Sequence, residues 1–401
     1  MNPRYLGKAN SSKQYYQRNH IDVLDGIRAI AILIVVWFHF WQQSWLIPVI
    51  GNYSIDWLPR NGSLLVDMMI LLSGFCLFLP YARNMVYGDQ VPAASTFYVK
   101  RASRIMPSYY FAIFAALFLF ALPLNAYKNP SIMWKDIFTH VFFIHNYFYD
   151  TLITTKLNAV LWTVAVEMQF YLLFPLLARC FQKKPIATYC TMTLVGLLSS
   201  HLISSNFYDL NQALYTNHSV TFLSVFANGM LGAWAYISIT KDKVKNKAEE
   251  FIYFLLTIGG LLLFKIMCDY RTSWSNIQHW QVNYRFHLSL LFLLILFGIL
   301  MAESYFHWLL GNRLMKFIAG ISFNLYIWHQ YIAVKLKEFR IPYWAGDVPP
   351  NQSGDKVWQW KYMILCIVIS FAVAIAATYL IEKPMAKIIT NLYYKHKKNK
   401  A

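Results

Sequence analysis

Ten stretches of about 20 predominantly apolar residues, near 24–45, 63–82, 105–122, 161–180, 187–204, 219–239, 251–268, 285–302, 316–337 and 361–382, narrow the possible folds more than any other feature of this chain. A segment of that length crosses the hydrocarbon of a bilayer as one helix, and in hydrocarbon only a helix or a closed barrel satisfies every backbone N–H and C=O internally. The alternative, ten helices buried in a water-soluble protein, fails on composition: 58% of residues are hydrophobic, 18% aromatic and only 13% charged, more apolar surface than a soluble core can hide. The sequence therefore predicts an all-α, polytopic membrane protein with about ten transmembrane helices.

Orientation follows from the basic residues. With the N-terminus inside, Lys and Arg cluster in the inner segments: Arg83, Lys100, Arg101 and Arg104; Arg179, Lys183 and Lys184; Lys241 to Lys247; and Lys383 to Lys400. The positive-inside rule then places both termini in the cytoplasm. The expected organisation is a basic N-terminal segment (1–23), one transmembrane domain (24–382) and a basic tail (383–401). The N-terminal segment lacks the short apolar region and cleavage site of a signal peptide and is expected to stay attached. A net charge of +18 would suggest nucleic acid in a soluble chain. Here it points to anionic lipid headgroups, with no nucleic-acid partner. The five cysteines have no metal-ligand spacing, and neither a disulfide framework nor a metal site is expected. The outer connection 123–160, with an aromatic amphipathic stretch from Trp134 to Tyr149, is expected to lie on or dip into the outer surface. A second, Pro-rich outer loop spans 338–360.

Chemistry is suggested by the charged and titratable residues inside the spans. Arg28 and His39 are eleven residues apart on the first helix, about three turns or about 16 Å, so they share one face. Ionisable groups in hydrocarbon are costly and mark functional sites. Counting helix rise from the span ends puts Glu167, Asp67 and His329 at a depth similar to that of His39, which predicts a polar cavity in the outer half of the membrane. A histidine that takes a proton from a hydroxyl works best when a carboxylate fixes its tautomer, and Glu167 is the candidate for that role. The competing reading makes His39, Glu167 and His329 helix-packing contacts, Arg28 a snorkelling interfacial residue, and the Arg101-x-x-Arg104 pair ordinary positive-inside charge. His145-x-x-x-x-Asp150, in the outer loop, has the spacing of a known catalytic His/Asp motif and is read as coincidence.

These residues occur in segments that together resemble the membrane acyltransferase family 3, integral O-acyltransferases of cell-surface polysaccharides. The segments are Leu24 to Ala31 leading to His39 as R-x10-H; Leu72 to Phe75; Arg101 to Pro107 with its R-x-x-R; Leu161 to Pro175 around Glu167; Ile321 to His329; and Ile381 to Pro384. The resemblance implies transfer of an acyl group, usually acetyl, from cytoplasmic acyl-CoA to a hydroxyl of an extracytoplasmic glycan or lipid-linked sugar, with no metal, in a bacterial cytoplasmic membrane. It implies an essential role for Arg28 and His39 and a part in acyl-CoA binding for Arg101 and Arg104. Asp67, Trp162, Tyr326 and His329 are the candidates for binding substrate. The rival from another class is a membrane transporter or lipid flippase, although matching halves with Gly/Pro-broken helices are not visible in the sequence.

Overall fold

The computed structural model describes residues 21–207, 211–244 and 246–400. The expected basic N-terminal segment therefore lies almost entirely outside the described residues. The described residues are largely helical, with a small hairpin pairing Val49–Ile50 with Tyr53–Ser54. The principal helices, in chain order, are α1 (Asp22–Ser44), α2 (Leu65–Tyr87), α3 (Ala94–Ala116), α4 (Pro130–Val141), α5 (Trp162–Lys183), α6 (Pro185–Asn206) and α7 (Leu223–Thr240). They continue with α8 (Lys247–Thr272), α9 (Ile277–Met301), α10 (Glu303–Leu310), α11 (Arg313–Glu338), α12 (Lys356–Ala377) and α13 (Lys383–Lys400).

Capping chemistry sets many of the boundaries. Asn246, Asn276, Asn312 and Asp355 each accept a backbone N–H from the first turn of α8, α9, α11 and α12. Pro130 and Pro185 open α4 and α6, where a missing N–H costs nothing. Gly88 closes α2 in the left-handed conformation.

Among the described residues, nine helices are long and apolar enough to cross a membrane. The tenth expected span is present as the 26-residue α11. It is less apolar than the other nine because it carries Ser322, Asn324 and His329 turned into the protein, where all three are buried. A helix can afford polar groups in a membrane when they face other helices rather than lipid.

The enclosed centre is built on α2 and α7, which cross at backbone contact. A Cβ on Gly74 would stand 2.5 Å from the Phe226 carbonyl oxygen, and one on Gly229 would stand 2.2 Å from that of Leu71. Small residues permit this approach, which is how helices gain packing where lipid supplies no hydrophobic drive. By contrast α6 and α8 expose apolar side chains such as Leu198, Leu202, Leu255 and Leu262, as lipid-facing helices should.

Helix α11 runs parallel to α1. Asp22 pairs with Lys316 at 2.8 Å, His39 packs on His329, and the Gln43 carbonyl accepts from Lys337 Nζ at 3.0 Å. Positions on the two helices therefore match level by level. After the last span α12 passes through a π-helical turn (Thr378–Glu382) into α13, which carries the basic tail and whose Tyr393 hydroxyl meets Ser95 Oγ at the start of α3 at 2.9 Å.

Candidate active site

A cavity opens among α1, α2, α3, α5 and α11. The three arginines singled out by their motifs, Arg28, Arg101 and Arg104, converge on it, together with Glu167, Tyr171, Ser73, Thr163 and Tyr326. Arg101 and Arg104 reach it because three residues on a helix return to one face, and Arg28 because α1 packs beside α2 and α11. The guanidinium of Arg101 lies 5.6 Å from the Tyr171 ring and 5.7 Å from Phe97, held by cation–π contacts. Its buried Nε has no hydrogen-bond partner among the described residues. Arg104 is within electrostatic reach of Arg28, Arg101 and Glu382. Three guanidinium groups facing one cavity-lining carboxylate leave a positive excess, suited to a polyanion.

Glu167 is fixed from two sides. The Tyr171 hydroxyl donates to its Oε1 from one turn along α5, and Ser73 Oγ donates to the same oxygen across from α2 at 3.4 Å. His39 is elsewhere. Its Nδ1 is 3.0 Å from Gln42 Oε1, a contact that suits an Nδ1–H donor and, in the neutral ring, leaves Nε2 as the acceptor. The His39 ring is 5.0 Å from that of His329, centroid to centroid. His329 donates from Nδ1 to the Tyr326 carbonyl at 2.7 Å, while its buried Nε2 has no partner among the described residues. Two imidazoles thus face each other, both with Nδ1 engaged by an acceptor.

Among the described residues His39 and Glu167 share no hydrogen bond. Thr163 and Tyr326 line the cavity together; Glu167 lies one turn inward of Thr163, and His329 almost one turn outward of Tyr326. The imidazole pair and the carboxylate are thus separated by about 10 Å of helix rise. The sequence arithmetic failed because it started α5 at the membrane surface. In fact the segment before α5 dips into the bundle, where buried Asn158 donates to the Ile327 carbonyl at 2.8 Å, with α11 continuing eleven residues further out.

Asp67 and Trp162 do not join the cavity. Asp67 is fully buried in an ion pair with Arg285 Nε at 2.9 Å, with Gln281 at 3.3 Å, on the face of α2 that turns toward α7 and α9. Trp162 packs on Phe222, the ring that also lies under Arg285 at 3.8 Å. His145 and Asp150 are not a dyad: Asp150 is at the surface with Lys135, and buried His145 stacks on His140 at 3.8 Å. Burial and the neighbouring His140 hold His145 well below the usual imidazole range. The outer segment is pinned instead by Asp136, which accepts from Tyr127, Thr155 and the Lys156 backbone.

Sequence reasoning also missed Tyr171, Ser73, Gln42 and the link from Asn324 Nδ2 to Glu382 Oε2 at 2.7 Å, which joins the Ile321–His329 and Ile381–Pro384 segments. The Glu167–Tyr171 spacing of four, one turn on a helix face, was the available signal.

A family model described as "Acyltransferase domain" matches residues 21–383. The chain is 24% identical over 356 residues to O-acetyltransferase OatA of Staphylococcus aureus, covering 84% of this chain and 54% of that protein. It is 22% identical over 395 residues to a Bacillus subtilis protein, YrhL, named as a candidate peptidoglycan O-acetyltransferase, covering 92% and 56%. The chain thus spans about half the length of the curated relatives it matches. No solved structure matches it significantly.

Proposed function

We propose, since this chain belongs to the acyltransferase-domain family, that it is an integral membrane O-acyltransferase moving an acyl group, acetyl in the first instance, from cytoplasmic acyl-CoA to a hydroxyl of an extracytoplasmic glycan or lipid-linked sugar. The observation that carries this reading is the convergence of Arg28, Arg101 and Arg104 on one cavity whose outer end stops just below the His39–His329 pair. Planar guanidinium forks suit the phosphates of CoA, and the thioester arm then points outward along α1 toward His39.

His39 is the proton acceptor. Gln42, not Glu167, holds its tautomer, and the Nε2 lone pair takes the proton of the acceptor hydroxyl as the oxygen attacks the thioester carbon. The C–O bond forms, the C–S bond breaks, and CoA leaves as thiolate to be protonated by the imidazolium. In the covalent variant His39 carries the acyl group between the two half-reactions. Glu167, locked by Tyr171 and Ser73, is a positioning residue whose carboxylate offsets the mutual repulsion of the arginines and orients the arm passing between them. The site is placed in the bacterial cytoplasmic membrane by this reading, with lipid along α6 and α8.

The test uses purified protein in vesicles with acetyl-CoA inside and cell-wall glycan outside. Free CoA thiol and acetylated glycan are expected together, and both are lost in His39→Ala. Movement of either solute without thioester consumption would instead identify a carrier. Labelled acyl on the wild-type protein without acceptor, absent from His39→Ala, selects the covalent route.

A further inference from the structure

A second, polar pocket opens on the outer side of the same two helices. Gln330, Tyr331, Lys335 and Glu338 of α11 line it with Lys156 and Asn158, which lead into α5, and its volume is about 350 Å³. That lies within the ~300–1,000 Å³ of sites that enclose small molecules. Its lowest residue on α11, Gln330, is one turn beyond Tyr326, the uppermost residue of the arginine cavity on that helix, and on nearly the same face. His329 lies between them, so the imidazole pair stands at the level where the two spaces approach.

We infer that this outer pocket is the acceptor subsite and that its ligand is a saccharide, an inference that rests on the acyltransferase reading. The chemistry of the walls fits. The Gln330 amide and the Lys156 ammonium have no hydrogen-bond or ion-pair partner among the described residues. The Tyr331 hydroxyl is buried and likewise unpartnered. A hydroxyl-rich ring supplies both donors and acceptors to such groups. Tyr331 packs edge to face on Phe120 at 5.5 Å, behind the pocket wall, while Lys335, paired with Glu338 at 2.6 Å, closes the side. Asn158, tied to Ile327, lines the pocket two residues along α11 from His329, so a ring bound there sits next to the level of the imidazole pair.

The experiment uses the full-length protein in vesicles, labelled acetyl-CoA and a muramidase-released cell-wall oligosaccharide, with Lys156→Ala/Gln330→Ala and the plugging variant Val334→Trp. Three quantities are read: transfer as a function of oligosaccharide concentration, acceptor-free thioester hydrolysis, and donor binding. The double variant is expected to raise the oligosaccharide KM about tenfold or more, and Val334→Trp to abolish saturation, with hydrolysis and donor binding at wild-type levels in both. A wild-type enzyme that acylates the oligosaccharide while both variants keep its KM within twofold overturns the inference and leaves the acyltransferase reading standing. Hydrolysis by the wild type with transfer to no saccharide overturns the saccharide assignment alone. A wild type that consumes no thioester overturns both.

Discussion

Asp67 offers the sharpest separation between what the sequence suggests and what the structure assigns. Read from sequence it is a substrate ligand; in the structure it is the counterion of Arg285, both side chains at most 1% exposed, with Arg285 also donating to the Thr216 carbonyl at 2.8 Å and to Thr221 Oγ1 at 2.6 Å. Replacing one member of such a pair leaves the other charge buried without its partner, at a cost of about 3–5 kcal/mol. At about 2 °C per kcal/mol for a chain of this size, Asp67→Asn should lower Tm by roughly 5–10 °C. The double variant Asp67→Leu/Arg285→Met removes both charges and should regain at least half of that loss, because residues in direct contact are not additive. Thermal unfolding of the detergent-solubilised protein, followed by size-exclusion chromatography after heating, reads the shift, and acyl transfer is measured in parallel on the protein that survives. The expected outcome is a lowered Tm with near-normal transfer per folded molecule. A wild-type Tm with transfer lost would refute the reasoning and return Asp67 to the substrate.

Three further perturbations follow from the geometry. Tyr171→Phe removes one of the two hydroxyls that fix Glu167 and should raise the KM for acetyl-CoA about tenfold, the worth of one charge-assisted hydrogen bond; an unchanged donor KM would show that Glu167 does not position the donor. Gly229→Leu would drive a side chain into the Leu71 carbonyl and should abolish recovery of monodisperse protein, whereas Gly259→Leu, with nothing within 4 Å, should behave as wild type in the same chromatography. Phe40→Ala opens the aromatic layer beside His329, 6.3 Å away ring to ring, and should raise acceptor-free thioester hydrolysis relative to transfer; a fall in both at constant ratio would count against a water-excluding role.

What the sequence disclosed was whatever periodicity and length encode. Apolar runs located the spans, eleven-residue spacing put Arg28 and His39 on one face, and the R-x-x-R spacing put Arg101 and Arg104 on one wall. What it hid depended on contacts between distant segments. Asp67 and Arg285 are separated by 218 positions, and Arg285 stood at the very edge of an apolar run, where a basic residue reads as interfacial. A buried carboxylate needs a cation or hydrogen-bond donors, so an unbalanced Asp67 was the available hint. The depth of Glu167 was misjudged for a different reason. Helix rise gives distances along one helix, but the common origin for several helices is set by loops, and the outer segment before α5 descends into the bundle instead of resting at the surface. Asn324 and Glu382 met for the same kind of reason, through the π-helical turn Thr378–Glu382 that brings the end of α12 against α11.

The vertical order of the groups bears on why such a site would transfer an acyl group rather than hydrolyse it. The inner cavity is strongly positive, with three arginines and one carboxylate, whereas the outer pocket is close to neutral, with Lys335 and Glu338 paired and Lys156 alone. A polyanionic donor is therefore favoured only on one side, and a hydroxyl-rich acceptor finds its matching groups only on the other. Neither space includes the imidazole pair in its walls; Phe40 and Tyr326 pack on His329, which is fully buried. A base with a free lone pair would activate water as readily as a sugar if water reached it, and water is far more concentrated. On the proposed mechanism, two distinct openings make the productive encounter depend on both ligands. The separate partners of Glu167 and His39 fit the same proposal: the carboxylate lines the arginine cavity, a neutral amide, Gln42, contacts the His39 ring, and a proton transfer at His39 would then occur away from the fields that would hold the phosphates.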